Sequence, residues 1–247
     1  MLEVRGLCKR FGALAATQSV DLALAPGARH ALIGPNGAGK TTLVNLLTGH
    51  LAPDSGSMTL DGADLLPLRP HQRVRAGLVR TFQINSLFME YTPLQSVALA
   101  IAQREGDAMR MWGFAAAGRK HVEEAGALLH DVGLGNYLHE RTDLLPYGLQ
   151  RLLEVALALA CKPKVLLLDE PAAGVSTDAS QRLFDLIDRL PGDLAILLIE
   201  HDMRLVFRFA QRISVLVAGA VLTEGTPAEI AADPKVREVY LGSRHAA

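Results

Sequence analysis

Hydrophobic and polar positions alternate at the start of the chain. Leu2 and Val4, then Val20, Leu22 and Leu24, recur at period two, which predicts antiparallel strands with one buried face. Lys9-Arg10-Phe11-Gly12 makes a turn between them. An apolar run over 28–33 predicts another strand, and Leu43, Leu46 and Leu47 mark the inner face of a helix that stops at Gly49. Pro53-Asp54-Ser55-Gly56 is a turn, Met58 to Leu65 a hairpin around Asp61-Gly62, and Pro70 opens a short basic helix through Arg73 and Arg75. Residues 78–82 form a strand ending on Gln83. Helical periodicity then covers 93–103 and 119–132, around a stretch rich in Met, Gly and Ala that holds the lone Trp112. A long apolar helix follows over about Leu149 to Ala160. Val165 to Leu168 and Ala195 to Ile199 are apolar without alternation, as in strands buried on both faces, with a helix at 178–190 between them. Two short strands flank Gly219, and Thr226-Pro227-Ala228-Glu229 carries a capping-box pattern. Strand, helix and strand in alternation predict a mostly parallel, doubly wound sheet.

Composition narrows the class without naming a function. The 247 residues suit one large domain with a sub-domain; 49% are apolar, 21% charged, and the net charge is -1. That balance gives no reason to expect nucleic acid as a partner. Cys8 and Cys161 are far apart with no metal-ligand spacing and read as core residues of a reduced, cytosolic protein. No secretory leader is expected, and no stretch reaches the roughly 18 apolar residues that would cross a bilayer. Any membrane role therefore runs through a partner.

The chemistry concentrates in Gly34-Pro35-Asn36-Gly37-Ala38-Gly39-Lys40-Thr41-Thr42, a G-x-x-x-x-G-K-[ST] loop with a predicted strand before it and a helix after. Glycines let successive N–H groups turn inward, and the helix N-terminus adds its positive end, so the loop captures phosphate. Lys40 reaches the β- and γ-phosphates and the Thr41 hydroxyl takes Mg²⁺. Ligands in an open α/β sheet sit beyond the carboxyl ends of the strands, where Gln83, Asp169-Glu170 and His201 each end an apolar run. Asp169 suits the water shell of Mg²⁺, and Glu170 suits a general base on the attacking water. Gln83 would position that water and the metal shell, and His201 would contact the γ-phosphate. Spacing leaves Phe11 between core packing, which it favours, and stacking on a base.

The loop, R-T-F-Q at Gln83, V-L-L-L-D-E-P and I-E-H-D-M together resemble the nucleotide-binding subunits of ABC transporters. The run from Ala31 to Gly49, E-P-A-A-G, and a tail G-T-P-A-E-I…D-P…Y-L-G resemble the branch that energises uptake of branched-chain amino acids. The resemblance implies a P-loop ATPase core (1–83 and 159–225), an N-terminal antiparallel β sub-domain, a helical sub-domain (about 84–158) and a tail (about 226–247). It implies ATP and Mg²⁺ as ligands, a second ABC ATPase subunit paired head to tail, two transmembrane permease subunits and, indirectly, a periplasmic or extracellular solute-binding protein. The location it implies is the cytoplasmic face of the bacterial inner membrane. Phe11 matches the adenine-stacking position, and Leu87, Phe88 and Tyr91 fall where such subunits meet their permease.

Two departures stand out. The signature that serves the partner's nucleotide in trans reads Leu145-Pro146-Tyr147-Gly148-Leu149-Gln150, so the usual serine is Pro146, with neither hydroxyl nor N–H. Backbone N–H groups of Gly148 and Leu149 are expected to remain available. The usual Asp after Gly174-Val175 is Ser176. These departures predict a heterodimer in which this chain's own phosphate loop hydrolyses ATP against an intact partner signature. Competing functions are an ABC ATPase serving export or lipid extraction and an ATP-binding subunit with weak hydrolysis.

Overall fold

The computed structural model describes residues 1–81, 87–106 and 118–242. In chain order its elements are β1 (Leu2–Phe11), β2 (Leu14–Leu24), β3 (Arg29–Ile33), α1 (Lys40–Thr48), β4 (Ser55–Leu60), β5 (Ala63–Asp64), α2 (Pro70–Ala76) and β6 (Leu78–Arg80). There follow α3 (Pro93–Glu105), α4 (Arg119–Asp131), α5 (Tyr147–Ala160), β7 (Val165–Asp169), α6 (Thr177–Asp188) and β8 (Ala195–Ile199). The chain closes with α7 (Met203–Phe209), β9 (Arg212–Val217), β10 (Ala220–Gly225), α8 (Pro227–Ala232) and α9 (Pro234–Gly242). It divides into two compact units, one of residues 1–78, 164–170 and 191–247, the other of 79–163 and 171–190.

The first unit is built on two sheets. One is antiparallel, in the order β2-β1-β4-β5. The other runs β10-β9-β3-β8-β7, and the chain leaves it at β6, whose first residue Leu78 belongs to this unit. β3 pairs in parallel with β8 and β9, and β7 with β8; β10 runs antiparallel to β9. This is the mostly parallel sheet that the unalternating apolar runs predict: every residue of β8 and all of β7 up to Leu168 are buried. Alternation in β1 is broken after Val4, where the register slips and Gly6 turns at φ 59°, so that Leu7 rather than Gly6 joins Leu2 and Val4 in the core. The basic helix α2 is less solvated than its composition suggests. Arg73 is buried, and its guanidinium donates to the carbonyls of Leu46 and Leu47 at 2.6 and 2.7 Å, closing the C-terminal end of α1.

The second unit is helical, with α4 and α5 each packed on α3 and α6 on α5. Arg104 of α3 grips both carboxylate oxygens of Glu124 on α4 at 3.0 Å. α5 starts two residues earlier than its apolar pattern suggests, at Tyr147, with Pro146 as the N-cap residue in extended conformation. α7 carries no expectation from the apolar pattern; Asp202 caps it and Val206 and Phe209 form its buried edge. The capping box at Thr226 and Glu229 forms in both directions, at 3.3 and 2.7 Å. Cys8 and Cys161 are free thiols and only partly buried, so neither is the core residue their spacing suggests. Among the described residues no helix is long and apolar enough to cross a membrane.

Candidate functional site: the phosphate loop and its strand-end carboxylates

β3 ends at Ile33 and α1 begins at Lys40, so residues 34–39 are the turn between a buried strand and a helix start. Its glycines answer two separate demands. Gly39 sits at φ 103° as the residue before α1, and a Cβ there would meet the backbone oxygen of Ala16 at 2.3 Å. A Cβ on Gly34 would meet the backbone oxygen of Leu216 at 2.2 Å. The loop is thus held against the backbone of β2 and β9, and Gly219 adds an N–H bond of 2.9 Å to the Ala38 carbonyl.

The first intrahelical bond of α1 runs from the Leu43 N–H to the Gly39 carbonyl at 2.9 Å. The N–H groups of Lys40, Thr41 and Thr42 are therefore left without helical acceptors, and all three residues line a cavity of about 800 Å³. No acidic residue occupies that first turn. Phe11, Leu14, Asn36 and Gly37 line the same cavity, as does Glu170. The Lys40 ammonium folds back onto its own loop, donating to the carbonyls of Gly34 at 2.7 Å and Pro35 at 3.0 Å. Burial lowers its pKa, against the pull of the Glu170 and Asp169 carboxylates, which favour the charged form. A preorganised ammonium, a row of helix-start N–H groups and a roomy opening suit a polyphosphate.

The carboxylates reach this place through β7. Its last residue is Asp169; Glu170 follows at φ 47°, a left-handed backbone uncommon outside glycine, held by an N–H bond of 2.8 Å to the Ile199 carbonyl. That turn carries the Glu170 side chain out of the strand line and leaves it half exposed at the cavity. His201, just past β8, places Nδ1 4.0 Å from Glu170 Oε1. Glu200 is the residue the apolar pattern misses. Its carboxylate is buried, accepts the His201 N–H at 2.9 Å, and lies 3.6 Å from His201 Nδ1. It therefore fixes the backbone from which the imidazole projects; an acidic residue ending a wholly buried strand was the available signal. The donor set also suits Mg²⁺, since a hydroxyl (Thr41) and one carboxylate (Asp169, close enough to act on Lys40) leave most positions to water.

Lys40, Thr41, Thr42, Phe11, Asn36, Gly37, Ala38, Gly39 and Glu170 thus meet at one cavity, with Gly34 and Pro35 holding Lys40 and His201 beside Glu170. Gln83 lies outside the described residues, and so does Trp112 with its surrounding stretch.

Residues 145–150 belong to the second unit. Pro146 accepts from the Leu149 N–H at 2.8 Å and the Gln150 N–H at 3.1 Å. Leu149, expected from sequence to keep a spare donor, has none; the N–H groups without helical acceptors are those of Tyr147 and Gly148. The Gln150 side chain is buried and donates to the carbonyls of Thr142 and Leu145 at 3.1 and 2.9 Å, so it braces the turn instead of facing solvent. Ser176 caps α6, its hydroxyl accepting the Ala179 N–H at 3.3 Å, a task an Asp would perform equally well. Phe88 and Tyr91 stack with ring centroids 5.3 Å apart, and Phe88 is exposed.

A family model described as "ABC transporter" matches residues 17–173, and one described as "Branched-chain amino acid ATP-binding cassette transporter" matches residues 220–246. The high-affinity branched-chain amino acid transport ATP-binding protein BraF of Pseudomonas aeruginosa is 39% identical over 251 residues, covering 98% of each chain. LivG of Escherichia coli K12, described in the same words, is 39% identical over 249 residues with the same coverage. Among solved structures, a nucleotide-free ATP-binding cassette from an ABC transporter superposes with a TM-score of 0.86 at 28% identity, covering 97% of this chain and 98% of that one.

Proposed function

We propose a function on one premise: this chain belongs to the ABC transporter family of ATP-binding proteins. It is an ATPase subunit, and its nucleotide lies in the cavity at the phosphate loop. Lys40 would exchange its two loop carbonyls for β- and γ-phosphate oxygens, which keeps the ammonium fully bonded in both conditions. The N–H groups of the loop and of the first turn of α1 hold the same oxygens. Thr41 and Asp169, with Gln83 in the outer shell, would hold Mg²⁺, and the ion would supply positive charge against the phosphoryl oxygens. Glu170 takes the proton of the attacking water, and His201, oriented by Glu200, steadies the γ-phosphate end of the site. Phe11 stacks on the adenine.

The first unit serves as the nucleotide core, and the second carries the sequence 145–150 that acts on a partner's nucleotide. With Pro146 there, that partner is a different ATPase subunit, and the pair works head to tail on two permease subunits. Phe88 and Tyr91, one of them exposed beside its stacked neighbour, are the proposed permease contact. The two branched-chain relatives, both matched end to end, support branched-chain amino acids as the solute class. A solute-binding protein outside the membrane would deliver them, and this chain would sit peripherally on the cytoplasmic face.

One observation carries the reading: Lys40 and Glu170 line the same cavity at the open end of a helix start. The test uses the assembled transporter in vesicles. Replacing Glu170 by Gln is expected to leave Mg-ATP binding intact and to lower phosphate release by about 10²–10⁴-fold, the usual worth of a general base. Phosphate release at the wild-type rate would remove Glu170 from the chemistry.

A further inference from the structure

Phe11 ends β1, and the residue is 49% exposed beside the cavity it lines. A phenyl group so placed gains little from packing and needs something else to fix its plane. Two residues earlier on the same face of the strand stands Lys9, whose ammonium lies 5.8 Å from the ring centroid, within reach of a cation–π contact. Lys9 does not line the cavity. Its side chain is only 18% exposed, so its stem lies along the protein while its charge faces the ring.

The ammonium is itself anchored. Asp54, 45 positions on, accepts from Lys9 Nζ at 2.8 Å through Oδ1 and from the Arg10 N–H at 2.7 Å through Oδ2. The Asp54 N–H in turn donates to the Cys8 carbonyl at 2.9 Å. Three bonds therefore tie one turn residue to positions 8, 9 and 10, and the two made by its carboxylate, from Lys9 first and then the Arg10 N–H, hold the Asp54 carboxyl below the usual carboxylate range. The Arg10 guanidinium closes the next turn by donating to the Ala13 carbonyl at 3.1 Å. Every group up to Phe11 is fixed by a bond, and the ring is the one free-standing member at the end of the series.

We propose that Lys9, clamped by Asp54, is a positioning residue for the nucleobase: it holds the Phe11 ring in the plane on which the base stacks. The inference rests on the assignment of Phe11 as the base-stacking ring. Lys9 stands outside the lining of the cavity that holds the phosphate loop, so its contribution is expected to belong to the base alone. A residue that merely supported the fold would weaken every ligand of the cavity together.

The test is titration of the full-length chain with Mg-ATP and, separately, with Mg-tripolyphosphate, which has the charged chain without a base. Lys9→Met keeps the length of the stem and removes the charge. It is expected to weaken ATP binding by about two- to five-fold and to leave tripolyphosphate binding unchanged. Lys9→Arg, which also places a cation on an aromatic face, should restore ATP binding. Phe11→Ala should cost at least about five-fold for ATP, again with tripolyphosphate unaffected. Unchanged ATP affinity in Lys9→Met, or equal loss for both ligands, overturns the inference while leaving Phe11 in place if Phe11→Ala behaves as expected. ATP affinity untouched in Phe11→Ala removes the stacking assignment, and the role of Lys9 falls with it.

Discussion

Gly37 and Gly39 lie in the same loop and have positive φ angles of 77° and 103°, yet a methyl group at each meets a different environment. At Gly37 there is nothing within 4 Å; at Gly39 the methyl would stand 2.3 Å from the Ala16 oxygen and 3.5 Å from the Gly219 Cα. Placing Ala in the left-handed region costs roughly 1–2 kcal/mol at either site. Against this, the unfolded chain loses freedom when Gly becomes Ala, which returns about 0.4–1 kcal/mol. Gly37→Ala should therefore cost no more than about 1.5 kcal/mol. Gly39→Ala carries an added overlap in which both parties are backbone, so no rotamer change relieves it, and overpacking of this kind costs about 1–3 kcal/mol more. The expected gap of about 2 kcal/mol corresponds to roughly a 30-fold difference in the folded-to-unfolded ratio. Urea unfolding of the full chain, followed by circular dichroism, measures it through the transition midpoints. Mg-ATP titration adds a second reading, since a loop pushed off the Ala16 oxygen displaces the first turn of α1. Equal midpoints for the two variants, or a lower midpoint for Gly37→Ala, would show that backbone contact with β2 does not shape this loop.

Two further outcomes are expected. Burial pushes the Glu154 carboxyl up to about 7 from an ordinary value near 4.5, while Arg151 at 2.9 Å pulls the other way. An acid whose folded pKa is raised stabilises the fold most below the unfolded pKa, and that contribution is lost as pH rises through the folded pKa; Glu154→Gln should therefore abolish a loss of about 3 kcal/mol developing between about pH 4.5 and 7, visible as a flatter pH profile of unfolding free energy. If wild type and variant keep parallel profiles across that window, the carboxyl is not buried as described. Pro146→Ser supplies α5 with a hydroxyl acceptor for its unbonded first-turn N–H groups, at a position already in the extended conformation an N-cap needs. A gain of up to about 1 kcal/mol in unfolding free energy is expected, together with a tighter ATP-dependent association of the two ATPase subunits on size-exclusion chromatography. Association no stronger than in wild type would separate Pro146 from the partner's nucleotide.

The phosphate loop is legible because all its parts are contiguous. The β3 run, the glycines and the α1 periodicity follow one another within about two dozen residues, and each depends on local backbone physics. Asp169, Glu170 and His201 are legible for a related reason: unalternating apolar runs announce buried parallel strands, and such strands deliver whatever follows them to one edge of the sheet. Glu200 escapes notice because the pattern marks it as a polar strand end, whereas the fold buries its carboxylate under two backbone N–H groups. Arg73 shows the same reversal. Its helix reads as basic and solvated, yet its guanidinium takes the end carbonyls of α1, 26 and 27 positions earlier.

Local order along the chain sufficed for the buried parallel strands, the start of α1, the anion-binding turn and the residues that end each buried run, because these follow from side-chain period, glycine geometry and helix-end donors. It missed α7, set the start of α5 two residues late, and read as a turn the end of β1 at Phe11. Contacts between segments far apart in the chain were decided only by folding: the Ala16 oxygen that excludes a methyl from position 39, the Asp54 clamp on Lys9, and the left-handed turn that swings Glu170 toward the cavity. No periodicity encodes them. Each depends on two backbones being brought within a few ångströms by the packing of the sheets, and at that range a single atom determines which side chain the position can carry.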